Sequence, residues 1–182
     1  MFVAVEVEES VREKLVAAQE QLAKTGADLK LVEPENVHVT MKFLGEVPED
    51  KKDAIVDALK KAASGTGEFQ AKVNGIGVFP GLNYIRVVWA GVSEGSEKFI
   101  ELQRKVEREL QQLGFKPEKD FVPHLTLARV RTARGRDGLA AFVKAKGAEE
   151  FGDTLVKAIE LKQSTLKPSG PVYSTLARVE LG

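Results

Sequence analysis

The chain has two histidines in 182 residues, and both open the same kind of frame, His38-Val39-Thr40-Met41 and His124-Leu125-Thr126-Leu127. The frames lie 86 positions apart, close to half the chain. Each alternates polar and apolar side chains, the period of a strand with one packed face and one open face. A strand repeated at half the chain length points to a duplicated βα-type lobe, so two similar halves are the expected architecture.

The remaining sequence supplies the other elements. Phe2–Val7 alternates apolar and acidic residues as a short strand. A helix follows, opened by a Ser10/Glu13 capping box, striped by Val11, Leu15, Ala18 and Leu22, and stopped by Gly26. Leu29–Val32 reads as a short strand. Pro48, Glu49 and Asp50 start a helix that buries Ile55, Leu59 and Ala62. Two strands, Glu68–Phe79 and Tyr84–Ala90, form a hairpin around Pro80-Gly81-Leu82-Asn83. A third helix spans Ser96–Leu113, and a strand covers Leu125–Val130. A short helix at Asp137–Lys146 then leads to two final strands, Phe151–Thr165 and Val172–Leu181, joined by Leu166–Pro171. Hairpins mixed with helices, without strict βα alternation, give an α+β class with antiparallel sheets. No linker divides residues 1–182 into independent domains.

Composition narrows the chemistry. Hydrophobic residues make up 43% and charged residues 30%, a globular balance, and cysteine is absent, which excludes disulfides, thiolate metal sites and cysteine nucleophiles. No apolar run is long enough to span a membrane, and the acidic N-terminal segment does not read as a signal peptide, so a cytoplasmic location is expected. The abundance of Lys, Arg and Glu resembles thermophile proteins. Formal charge is zero, but residues 1–100 carry 12 basic against 16 acidic side chains and residues 101–182 carry 15 against 11. An anionic ligand should favour the second half.

Strand parity places His38, Thr40 and Lys42 on one face and Val39, Met41 and Phe43 on the packed face. Likewise it sets His124 with Thr126 against Leu125 and Leu127. Each frame offers an imidazole and a hydroxyl about 7 Å apart along the strand. Two frames across a cleft suit a phosphate. One imidazole accepts a proton, the other donates one, and the hydroxyls hold the non-bridging oxygens. This scheme calls for no metal or cofactor; neither histidine has an acidic residue within two positions, and no HExxH pattern occurs.

The segments His38-Val39-Thr40-Met41-Lys42-Phe43-Leu44-Gly45 and Phe121-Val122-Pro123-His124-Leu125-Thr126-Leu127-Ala128-Arg129 resemble the two-histidine phosphoesterase superfamily, specifically its RNA 2′,3′-cyclic phosphodiesterase group, also called the 2′-5′ RNA ligase or LigT-like family. The resemblance extends over essentially the whole chain. It implies a bilobal fold, two pseudo-symmetric antiparallel lobes with outer helices around a central cleft. It implies metal-independent hydrolysis of a terminal 2′,3′-cyclic phosphate to a 2′-phosphate, with His38 as general acid and His124 as general base. Thr40, Thr126 and Arg129 would bind the phosphate. The same resemblance allows 2′-5′ ligation of RNA ends, tRNA halves among them, by a monomer. An RNA-end binding module without turnover is a third reading.

Regular strand parity points Arg129 to the packed face, so its recruitment requires a bulge or strand end near Ala128. Lys42 has the parity of the cleft, and Phe43 the parity of the core. Phe121 and Tyr84 are exposed-aromatic candidates. Arg129, Arg131, Arg134, Arg136, Lys144 and Lys146, against Asp137 alone, form a basic track suited to RNA phosphates. Gly75, Gly77 and Gly81 give GxGxxxG in a strand–turn context, which is not a dinucleotide fingerprint.

Overall fold

The computed structural model describes every residue except Lys119, Pro168 and Ser169. Its elements run β1 (Phe2–Val5), α1 (Glu9–Ala23), β2 (Leu29–Leu31), β3 (Val39–Phe43), α2 (Lys52–Ala63), β4 (Phe69–Gly81), β5 (Tyr84–Val92), α3 (Ser96–Gln111), β6 (His124–Val130), α4 (Arg136–Ala145), β7 (Glu150–Val156), β8 (Ala158–Lys167) and β9 (Gly170–Glu180). The strands follow the order β7-β4-β5-β6-β3-β1-β8-β9, all antiparallel, with β2 added beside β6. Two four-stranded halves meet at β3 and β6, where Val39 and Leu125 form the pairing. β2 takes the far end of β6, opposite Ala128–Val130, so the halves diverge beyond that junction. Among the described residues, no helix is long and apolar enough to cross a membrane.

Helices cover the sheet crosswise. α1 packs on β6 and β7 and α4 on β4, whereas α2 and α3 pack on the β3-β1-β8-β9 half. The apolar stripes of α1, α2 and α3 are buried as their spacing predicts, through Leu15, Leu22, Ile55, Leu59, Phe99, Leu102, Val106 and Leu110. Two local expectations fail. α1 begins at Glu9, with Glu8 in the capping position and no side-chain cap, which leaves Ser10 inside the first turn, unable to form a capping box with Glu13. The segment Phe151–Thr165 is two strands broken at Lys157. Its first part pairs with β4 and its second with β1 and β9, at distant places in the sheet, with only the exposed Lys157 between them. Of the predicted Leu166–Pro171 connection, Pro168 and Ser169 lie outside the described residues.

Two inserted residues decide which side chains reach the cleft. In the β1–β3 pairing Val3 faces Lys42 while Ala4 faces Thr40, so Met41 is an extra residue. In the β5–β6 pairing Val88 faces Ala128 while Trp89 faces Thr126, so Leu127 is extra. A β-bulge of this kind reverses side-chain parity beyond it. Each bulge follows immediately after its threonine.

Lys42 therefore turns to the helices, against its predicted cleft position, and Phe43 turns out of the core, 62% exposed. The fully buried Lys42 Nζ donates to both Glu107 carboxylate oxygens on α3, at 2.9 and 3.0 Å, and to the Lys116 carbonyl at 2.7 Å. Glu107 also accepts from Gln103 Nε2 and from the Glu118 backbone N–H. Because this pair is buried and shared, Lys42→Met strands a carboxylate and should cost about 3–5 kcal/mol of stability in urea unfolding. A cost below about 1 kcal/mol would contradict the role of this network.

Candidate active site

The concave side of the junction holds a cavity of about 280 Å³ lined by Thr40, Phe43, Phe79, Val87, His124, Thr126 and Arg129, with Glu118, Asp120, Phe121 and Val122 along one wall. Thr40, His124, Thr126 and Arg129, all singled out from the sequence, meet here. Arg129 is present because the Leu127 bulge supplies the parity reversal its recruitment requires. Phe43 occupies the matching position after its own histidine; period-two reading assigned it to the core, and only the Met41 bulge explains its exposure.

His124 is set by its own strand entry. Its Nδ1 donates to the Val122 carbonyl at 2.7 Å. A carbonyl only accepts, so the neutral ring carries its proton on Nδ1 and leaves the Nε2 lone pair free. Phe79 meets the ring edge-on at 5.1 Å and Trp89 at 6.1 Å. Gly77 makes room for that wall, since a Cβ there would lie 2.3 Å from the Trp89 ring. Burial lowers the His124 pKa, the Val122 hydrogen bond opposes that, and the Arg129 charge lowers it further.

His38 sits deeper. It does not line the cavity itself, and its Nε2 makes a 3.1 Å hydrogen bond with Thr40 Oγ1, which does. Phe2 stacks on the ring at 5.1 Å and Tyr173 covers it at 5.8 Å. Its Nδ1 is buried without a partner among the described residues, so Nε2 is the ring nitrogen that has a hydrogen-bonding partner. Desolvation lowers its pKa to about 4, with Lys162 and Arg12 adding to the fall and Glu6 and Glu160 opposing it. Those four groups form one chain of ion pairs behind the ring, Arg12 to Glu6 at 2.8 Å, Glu6 to Lys162, and Lys162 to Glu160 at 3.6 Å. Sequence reading missed this chain, whose members come from α1, β8 and the segment that follows β1.

The sequence profile of the family described as LigT like Phosphoesterase matches residues 5–89 and 91–173, each segment carrying one histidine frame. The chain belongs to this family. It is 42% identical to an RNA 2′,3′-cyclic phosphodiesterase of Methanothermobacter thermautotrophicus, over 96% of this chain and 95% of that one. It is 40% identical to one of Archaeoglobus fulgidus, over 97% of each. Among solved structures, the Thermus thermophilus protein TT0787 superposes with a TM-score of 0.82 at 31% identity, covering 99% of this chain and 96% of that one. Escherichia coli LigT, crystallised with 3′-AMP, shares the fold with a TM-score of 0.77 at 22% identity, covering 99% and 96%. The α+β, two-halved architecture expected from the sequence is thus the architecture of the LigT-like phosphoesterases.

The site of this phosphoesterase gives two pH tests. Neutral His38 is favoured in the folded state, whose pKa of about 4 lies below the 6.5 reference, so folding stability is intact above pH 6.5 and declines as pH falls toward 4. The loss attributable to this ring is about 3 kcal/mol at its full extent. Unfolding free energies measured from pH 7 to 4 should therefore fall more steeply in wild type than in His38→Gln, and parallel profiles would contradict the burial account. Trp89, the one tryptophan, reports on His124. Its fluorescence should fall, as imidazolium forms, with a midpoint below 6.5, and the step should vanish in His124→Gln. A midpoint at or above 6.5 would contradict the lowered pKa.

Proposed function

We propose that the cleft hydrolyses the 2′,3′-cyclic phosphate at the end of an RNA strand to a 2′-phosphate and a free 3′-hydroxyl. The observation that carries this reading is the convergence of Thr40, Thr126, His124 and Arg129 on one cavity, with His38 reaching it through Thr40. The names of the relatives agree with it.

In the proposed reaction His124 Nε2 removes a proton from water as the water oxygen attacks phosphorus. The bond from phosphorus to the 3′-oxygen breaks, and His38 Nε2 gives its proton to that oxygen. The two rings end with their protonation exchanged and reset through solvent. The Thr40 and Thr126 hydroxyls and the Arg129 guanidinium hold the non-bridging oxygens as charge builds on them. The tautomer imposed by Val122 supports His124 as the base. A bound phosphate anion opposes the desolvation that keeps His38 unprotonated, raising its pKa when the acid is needed. Phe43, Phe79 and Val87 offer the terminal base an apolar wall. Both histidines come from one chain, so a monomer suffices.

The test uses an oligoribonucleotide ending in a 2′,3′-cyclic phosphate. His38→Ala and His124→Ala should each lower kcat by about 10²–10⁴-fold, EDTA should leave the rate unchanged, and the product should be the 2′-phosphate. Full activity in either variant would overturn the reading, and a 3′-phosphate product would reverse the two histidine roles.

A further inference from the structure

β5 and β6 continue past the cleft. Val87 and Arg129 line the cleft, while their chain neighbours Arg86 and Val130 line a separate pocket of about 220 Å³. Ile85 and Leu139, both buried, close its inner side, and its rim is Tyr84, Arg86, Arg131, Arg134 and Arg136. Among the described residues, no carboxylate lines it. Among the same residues, none of these four guanidinium groups has a carboxylate within ion-pair distance, whereas Arg12, Arg108 and Arg178 each have at least one.

The cluster is built rather than scattered. Arg86 is itself an inserted residue, since Phe79 faces Val87 while Pro80 faces Ile85, and its guanidinium lies 5.9 Å from the exposed Tyr84 ring. The Arg131 backbone N–H donates to the Asp28 carbonyl at 2.9 Å. Gly135, between Arg134 and Arg136, has φ +69° and packs so closely on the Gly26–Ala27 turn that a Cβ would lie 2.4 Å from the Ala27 nitrogen. The backbone that carries three of the arginines is therefore held in place before any ligand arrives. Four like charges around one pocket repel each other, and an anion relieves that repulsion. Guanidinium forks match phosphate oxygens in geometry as well as charge.

We propose that this pocket is a second phosphate subsite, taking a backbone phosphate of the RNA strand that leads to the reacting end, with Tyr84 as a stacking surface for a neighbouring base. The proposal rests on the cyclic-phosphate reading of the cleft. Arg131 follows Thr126 by five residues, one of them the inserted Leu127, which amounts to about 13 Å along a strand, so the subsite takes a phosphate a few nucleotides upstream of the terminus. Mononucleotides fill the cleft without reaching it.

The experiment compares cytidine 2′,3′-cyclic phosphate with a decaribonucleotide bearing the same end, on wild type and on R131A/R134A/R136A. The variant should keep kcat/KM on the mononucleotide within about twofold, lose at least about tenfold on the decamer, and show a decamer salt dependence shallower by about 2 in log–log slope. Equal loss on both substrates, or loss on neither, overturns the proposal. R134A alone, at an exposed position, should show a smaller loss of the same pattern and serves if the triple variant misfolds. Anisotropy with a labelled decamer ending in a 2′-phosphate separates the two readings. If wild type hydrolyses neither substrate, the cleft reading fails, and the subsite then stands on a tenfold weaker binding by the variant or falls on unchanged binding.

Discussion

A strand presents alternate side chains to one face until an extra residue is inserted, and this chain inserts one after the threonine of each histidine frame. Met41 and Leu127 are the inserted residues. Each lets a buried side chain and its neighbour both turn to the helices, then restores the next residue to the cleft. Without the bulges Arg129 would be forced into the core and Lys42 into the cavity, an arrangement that leaves a buried guanidinium unpaired. The Leu127 carbonyl accepts from the Val32 N–H at 2.9 Å and from the buried Gln19 side chain at 2.8 Å. On the other side the turned residue is Lys42, and Glu107 satisfies it. Both irregularities are thus held by a polar side chain from a helix.

The bulges also break the symmetry they share. The same position carries Phe43 in one half and Arg129 in the other, so one lobe contributes an apolar surface and the other a positive charge. The two imidazoles differ in the same way. His124 is fixed by a backbone carbonyl and opens into the cavity, whereas His38 lies under Phe2 and Tyr173 and behind Thr40. A proton acceptor and a proton donor need different surroundings, and in the proposed reaction the duplicated strand meets that need by what packs around it.

The strands around both frames, the three helix stripes and the polar residues of the cleft were legible because each follows a local period. The Lys157 break was not, since no glycine or proline marks it and only pairing partners reveal two strands. Strand parity sets Lys42 and Phe43 on the wrong faces for a related reason. A one-residue insertion leaves no mark in composition, and its position depends on β1, which lies more than thirty residues earlier. Arg129 is the exception, because a charged residue at a packed parity itself requires a bulge. The ion-pair chain behind His38 draws on three separate segments, so spacing along the chain does not expose it.

In the proposed reaction His38 and His124, on different lobes, act on a single phosphate. A chain with two histidines allows this to be read directly by nitrogen-edited NMR of both imidazoles during titration with a nucleoside 2′-monophosphate. Both Nε2 signals should shift along one saturation curve, with His38 moving toward its protonated form as the anion enters. A shift confined to one ring, or two rings saturating at different concentrations, would contradict the claim.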